Sequence, residues 1–229
     1  MKKAVCFTLL IIASLLLITA MLFTCLQFCM NQRDWYYKSY VKYGTSRETG
    51  ISDEDMTEAI FRLIDYMEGR ADSIQLSVSE NGSVVEMYNQ QEIEHMIDVR
   101  ALYQAWKNVR DYGAAAAAAI IALCICMTAP GGRIRLMSRA FITASAIFGI
   151  ALAALGIWVA LDFNSFWNGF HRLFFTNDLW LMDYNTCRMI RICPLQLFND
   201  IVIRFALMFM APFLLLLIFA TAGARRRQK

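Results

Sequence analysis

The sequence has only two histidines and three prolines in 229 residues, and most familiar catalytic signatures are missing. There is no Gly-x-Ser-x-Gly elbow to present an activated serine, no Gly-rich phosphate loop and no His-Glu-x-x-His helix of a zinc hydrolase. No Cys-x-x-Cys pair or Cys/His spacing suggests a zinc site. Charge is almost absent from the long apolar runs, so an ion or proton path is not indicated. There is no internal repeat and no low-complexity linker.

What the sequence does have is apolar length. Hydrophobic residues make up 58% of the chain, which points to the membrane class. Four runs, 4–30, 112–129, 140–161 and 201–222, are long enough to cross roughly 30 Å of hydrocarbon as helices. The first follows Met1-Lys2-Lys3 but exceeds a signal-peptide core and lacks a small-x-small cleavage site. Leu-Phe-Thr before Cys25 makes a poor lipobox, so this run is expected to remain as an anchor.

Charge sets the orientation. Lys2, Lys3, Arg133, Arg135, Arg139, Arg225, Arg226, Arg227 and Lys229 fall in segments that contain no acidic residue. All 19 Asp and Glu lie in 31–111 and 162–200. By the positive-inside rule both termini are expected to be cytoplasmic and both large connections outside. The net charge of +3 hides this asymmetry and reports topology, with no nucleic-acid partner implied. The expected organisation is a first transmembrane helix (1–30), an extracytoplasmic cap (31–111), a second helix (112–129), a basic cytoplasmic loop (130–139), a third helix (140–161), an aromatic extracytoplasmic loop (162–200), a fourth helix (201–222) and a basic tail (223–229). The fold class is therefore an α-helical integral membrane protein with a small mixed α/β cap.

Within the cap, Ser52 followed by Asp53, Glu54 and Asp55 reads as a helix N-cap with acids in the first turn. Ile60, Phe61, Leu63, Ile64 and Met67 form an apolar face, and Gly69 supplies the stop, which predicts an amphipathic helix over 52–68. Ile74, Leu76 and Val78 alternate with polar residues before Asn81-Gly82, a strong hairpin signal. Asn81-Gly82-Ser83 is formally a glycosylation sequon, more simply explained as a turn. From Gln91 a helical pattern resumes and nothing clearly breaks it before Gly113, so this helix is expected to continue into the second span. Ala114 to Ala119 there permits close helix approach. Trp35, Tyr36, Tyr37, Tyr40 and Tyr43 are expected at the outer interface, either as an aromatic belt or as one wall of a substrate chamber.

The 162–200 loop is too long and too aromatic for a simple crossing, with Phe163, Phe166, Trp167, Phe170, Phe174, Phe175 and Trp180 around His171. It reads as a lipid-handling floor. Cys187 and Cys193 are the only cysteines outside the apolar runs, and they are either bridged or two thiols. Arg204, about a turn inside the last span, is expected to snorkel outward or face a lipid carbonyl.

His95 and His171 both fall in the outer segments. If 90–100 is helical, Asp98 lies one turn from His95 and within reach of an imidazole nitrogen; the alternative is an exposed surface pair. Asn177 and Asp178 either orient His171 or simply make a turn.

These residues resemble a known family. His95-Met96-x-Asp98-Val99-Arg100, the run Phe170-His171-x-x-Phe174-Phe175-x-Asn177-Asp178-x-Trp180, and Pro194 with Phe198 and Asp200 are similar to the bacterial lipoprotein intramolecular transacylase family, Lit. The order of four spans with a large first outer segment is similar too. The sequence departs from the family pattern after Asp183: Tyr184 and Cys187 stand where Pro and Asp are expected, and Leu195 where Glu is expected.

The resemblance implies transfer of the sn-2 acyl chain of a diacylglyceryl-modified lipoprotein to the α-amine of its own N-terminal cysteine, giving the lyso form, without a cofactor. The partners implied are the lipoprotein and membrane lipid, at the bacterial cell membrane. It implies His95 and His171 as catalytic residues, with Asp98, Arg100, Phe170, Phe174, Phe175, Asn177, Asp178 and Trp180 supporting them or binding substrate. Such an aminolysis closes a ring of about eight atoms, so confinement and orientation are the main tasks. It also needs one group to take a proton and another to give one, which suits histidine. Two other classes remain: a metal-dependent membrane hydrolase using both histidines and Asp98, and a four-helix membrane scaffold.

Overall fold

The computed structural model describes residues 2–225; the expected tail charges Arg226, Arg227 and Lys229 lie outside the described residues. The helices are α1 (Lys2–Met30), α2 (Arg33–Tyr43), α3 (Thr45–Thr49), α4 (Asp53–Glu68), α5 (Gln90–Met127), α6 (Arg133–Leu161), α7 (Phe163–Phe174), α8 (Arg188–Arg191) and α9 (Leu195–Arg225). One antiparallel hairpin, β1 (Ser77–Glu80) and β2 (Ser83–Glu86), lies between α4 and α5. Four helices, α1, α5, α6 and α9, contain windows long and apolar enough to cross a membrane. The chain divides into two compact units.

The first unit comprises Met1–Cys25, Lys107–Asn168 and Ala206–Lys229. Its helices pack through small side chains. Ala117, Ala140 and Ala144 are fully buried, and Cys6, Leu10 and Cys124 complete a core with Ala140. Small residues bring backbones close, which is how helices gain dispersion contacts where hydrophobicity gives no preference. A Cβ at Gly223 of α9 would stand 2.3 Å from Ser138 Oγ and 3.2 Å from Ile134 Cγ2 of α6, so a larger residue there would make both side chains shift. Farther along, Phe141 and Phe148 of α6 meet Phe209 and Phe213 of α9 at ring distances of 5.7 to 6.5 Å.

The second unit comprises Leu26–Trp106 and Gly169–Phe205, and its core is soluble-like. Ser52 caps α4 by accepting from Asp55 N, and Gly69 closes it at φ 81°. The buried face of α4, including Met56, Ile60, Leu63 and Ile64, packs with Met87, Tyr88, Met96, Ile192 and Leu197. Each such side chain contributes about 1.5–3 kcal/mol of burial. The hairpin turns at Asn81 and Gly82, both at positive φ, with Glu80 facing Ser83. This is the primed turn that matches strand twist. Gly50 packs so tightly under it that a Cβ would lie 2.3 Å from Asn81 Oδ1.

Two expectations are revised. The tyrosines of 35–43 do not all form an interfacial belt. They lie on α2, where Tyr36 and Tyr40 are buried in the core; Tyr36 meets Phe61 edge-on at 5.7 Å, and Tyr40 donates to the Ile192 carbonyl at 2.9 Å. The aromatic connection 162–200 is not irregular throughout: it holds α7, α8 and the start of α9, with 175–187 non-helical. Phe163, Phe166, Trp167, Phe170 and Phe174 recur at helical spacing along α7, and Asp162 caps it by accepting from Ser165 N at 2.9 Å. The Arg204 guanidinium lies 5.2 Å from the Trp35 ring centroid, where the aromatic face attracts it. Cys187 and Cys193 are both free thiols, the former buried and the latter exposed.

Candidate active site

The site is built within the second unit, on the first four turns of α5 and the last turn of α7. The start of α5 is fixed by a reciprocal cap. Glu92 Oε2 accepts from Asn89 N at 2.7 Å while Asn89 Oδ1 accepts from Glu92 N at 2.9 Å, so two terminal donors are satisfied by one exchange. Glu92 is fully buried, and its other oxygen accepts from Met189 N at 2.6 Å. Burial pushes its carboxyl above the usual range, opposed by these backbone donors and by Arg188 and Arg191. Glu80 binds the same segment through Arg188 at 2.6 Å and Arg191 at 2.9 Å. The segment after α7 is thus held to the hairpin and to the head of α5.

One turn beyond Glu92, His95 is 7% exposed, and His171 on α7 is 6% exposed. Their rings are 6.4 Å apart between centroids and within 29° of parallel. Phe175 touches both, at 5.3 Å from His95 and 5.7 Å from His171. Trp180 lies nearly parallel to His171 at 4.7 Å. Phe170 closes the other side of His171 edge-on at 5.4 Å and leads through Phe174 to Trp106. The imidazole pair is therefore walled by aromatic rings.

The turn after α7 is pinned by polar contacts. Asn177 Nδ2 donates to Asp98 Oδ2 at 2.8 Å, Trp180 Nε1 donates to the Asn177 carbonyl at 2.9 Å, and Gln91 Nε2 donates to the carbonyls of Leu179 and Leu181, each at 3.0 Å. Of the two sequence alternatives for Asp98, an imidazole contact or a surface pair, neither describes it fully: its hydrogen-bond donor is Asn177, and among the described residues His95 Nδ1 is buried without a partner. The loop supplies an amide that spacing along one helix does not foretell. Asp98 still acts on His95 through its charge. Burial, then the neighbouring His171, hold His95 below the ordinary histidine value, and Asp98 partly opposes them.

The structure thus brings His95, His171, Phe170, Phe174, Phe175, Asn177, Trp180 and Asp98 into one connected group. Arg100 stands apart from it, its guanidinium 4.5 Å from the Tyr66 ring centroid, where it joins α5 to α4. Asp178 is exposed, and its carbonyl accepts from Leu181 N at 3.0 Å. Reasoning from sequence missed Gln91, Glu92, Glu80, Arg188 and Arg191. The Asn89-x-x-Glu92 pattern before an apolar run was a readable capping signal; the other contacts join distant segments and left no local trace. Among the described residues no group of three or more His, Cys, Asp or Glu is arranged to hold a metal.

Buried, aromatic-walled imidazoles carried by a chain with four membrane-length helices define a multi-pass membrane protein with a candidate acid–base site. The chain belongs to the lipoprotein intramolecular transacylase Lit family, whose model matches residues 11–198, and is accordingly an acyltransferase. No curated protein matches it. Among solved structures it is similar to the membrane-integral lipoprotein intramolecular transacylase Lit from Bacillus cereus, with a TM-score of 0.74 at 15% identity over 95% of each chain. It is also similar to two forms of that protein in which one histidine is replaced by Arg or by Ala, each with a TM-score of 0.71 at 16% identity. These cover 97% of this chain, and 92% and 94% of theirs. At such identity the likeness is one of fold.

Proposed function

We propose that the protein moves the sn-2 acyl chain of a diacylglyceryl-modified lipoprotein to the α-amine of that lipoprotein's N-terminal cysteine, on the outer side of the bacterial cell membrane. The observation that carries this reading is the buried His95–His171 pair, 6.4 Å apart between aromatic walls. We assign His95 as the base. Among the described residues its Nδ1 has no partner, and burial favours its neutral form, which keeps a lone pair to accept a proton near neutral pH.

In the proposed reaction the cysteine amine attacks the ester carbonyl and gives a proton to His95. His171 donates to the carbonyl oxygen as negative charge develops there, or to the sn-2 oxygen as the C–O bond breaks. The amide N–C bond replaces the ester O–C bond, and the proton lost by nitrogen ends on the glyceryl oxygen. Nothing is oxidised or reduced. Phe170, Phe174, Phe175 and Trp180 offer apolar surface to the lipid and keep water from the reacting atoms. Asn177, through Asp98, positions the turn that carries Trp180. The orientation rests on the segregation of charge, with all 19 acidic residues in 31–111 and 162–200.

The test is mass spectrometry of a lipoprotein's N-terminal peptide from cells lacking mature N-acylation, with and without this protein. Appearance of a lyso peptide with an amide-linked chain supports the reaction. Persistence of the diacyl form with correctly inserted protein overturns it.

A further inference from the structure

The turn joining α5 to α6 borders a second, half-open site that shares no residue with the histidine pair. A cavity of about 460 Å³ is lined by Lys3 of α1, by Thr128, Ala129, Gly131 and Gly132 of the turn, and by Arg135, Leu136 and Arg139 of α6. Arg135 and Arg139 are one helical turn apart on α6 and so share a face, and Lys3 brings a third positive charge to the same cavity. Like charges at this spacing repel unless an anion lies between them. Among the described residues none of the three has an ion-pair partner. Arg133, by contrast, is already engaged, its Nε donating to the Thr128 carbonyl at 2.8 Å.

Among the described residues no carboxylate lines the cavity, and the sequence holds no Asp or Glu between Asp111 and Asp162. The glycines leave the floor open: a Cβ at Gly131 would meet nothing within 4 Å. Leu136 adds apolar surface to the lining, and Met127 and Ile134, 40% and 52% exposed, flank the turn in sequence. The chemistry that satisfies three converging cations beside apolar side chains is a phosphate carrying acyl chains.

We propose that this cavity binds the phosphate of an anionic phospholipid headgroup, a resident lipid separate from the lipoprotein substrate. On the orientation proposed above the lipid belongs to the cytoplasmic leaflet, but binding itself does not depend on that orientation or on transacylation. The phosphate is held by Arg135 and Arg139 from one side and Lys3 from the other, with Leu136 against the start of an acyl chain.

The test uses the full chain, delipidated in detergent and reconstituted in nanodiscs whose two faces are both accessible. Native mass spectrometry measures retention of phosphatidylglycerol, with phosphatidylcholine as the zwitterionic control. Inorganic phosphate and glycerol 3-phosphate form the soluble arm. Phosphatidylglycerol is expected to bind saturably and at least tenfold more tightly than phosphatidylcholine. The double variant Arg135→Gln/Arg139→Gln should weaken it tenfold or more, and Lys3→Gln by a smaller factor in the same direction. A charge-matched variant outside the lining, Lys2→Gln/Arg225→Gln, should stay within twofold of the parent. Equal binding of the two lipids, or equal loss in both double variants, overturns the site in favour of diffuse surface charge. Binding of the soluble phosphates as tight as that of phosphatidylglycerol overturns the lipid assignment in favour of a free anion. Should the Arg135/Arg139 variant fail to retain its helical signal, Lys3→Gln against Lys2→Gln decides the matter alone.

Discussion

Asn177 and Asp98 are 79 residues apart in sequence and joined by a hydrogen bond of 2.8 Å. The bond ties the turn after α7, which carries Phe175 and Trp180, to the helix that carries His95. A carboxylate accepting from an amide is among the stronger polar contacts, and here it sets where the aromatic wall meets the imidazoles.

Replacing Asn177 by Ala is therefore expected to slow acyl transfer about tenfold, from loss of roughly 1.5 kcal/mol of positioning. Asn177→Asp should be worse than Ala, because it faces Asp98 with a second carboxylate. Turnover of a purified diacyl lipopeptide checks both; an Asp variant more active than the Ala variant contradicts the arrangement.

His95→Gln and His171→Gln should each reduce transacylation by about a hundredfold to ten-thousandfold, with little change in helical content. The lyso to diacyl ratio of the N-terminal peptide is the measurement. Retained activity in both single variants would remove the proposed mechanism.

The pH profile follows from the lowered His95 value. A base held below the ordinary histidine value of about 6.5 stays neutral further into acid, so the acid limb of kcat/KM should fall below that pH. Asp98→Asn removes the one charge that raises His95, and should move the limb further toward acid. Stability carries the same sign: the contribution of His95 is complete above its unfolded value and lost as pH falls from there through the folded one. A limb that moves toward alkali in Asp98→Asn contradicts this assignment.

Glu92→Ala leaves the N–H groups of Asn89 and Met189 without their acceptor in a buried place. The expected loss is about 2 kcal/mol, or a fall in Tm of about 5 °C for a chain of this size. Glu92→Gln retains an acceptor oxygen and should lose less. Thermal unfolding in detergent distinguishes the two.

Glu80→Ala releases Arg188 and Arg191 from their shared carboxylate. Limited trypsin digestion should then cleave after these arginines severalfold faster than in the parent, because local opening controls cleavage. Unchanged cleavage would mean that Met189 and Tyr40 hold the segment without Glu80.

Much of this architecture was readable in advance where its cause is local. Ser52 before three acids and Gly69 after an apolar face bound α4 within a residue of its observed limits. Asn81-Gly82 turned as expected, because those residues tolerate the positive φ that the hairpin needs. The helix beginning near Gln91 does run on through the second apolar stretch as α5. Elsewhere composition masks period: the aromatics from Phe163 to Phe174 suit an interface as single rings, while their spacing is that of a helix face. Tyr36 and Tyr40 suit an interface by composition, and nothing local reveals that α4 and Ile192 cover them.

Composition, charge segregation and the two histidine motifs by themselves determined the helical membrane class, the four spans and the family resemblance, since these depend on hydrocarbon thickness, turn chemistry and the identity of single residues. Tertiary structure alone decided that His95 meets His171, that Asp98 takes Asn177 rather than an imidazole, and that Glu80 and Glu92 hold the segment between them. Those contacts join residues far apart in the chain, and side-chain spacing within one helix or hairpin carries no information about which distant segment folds back against it.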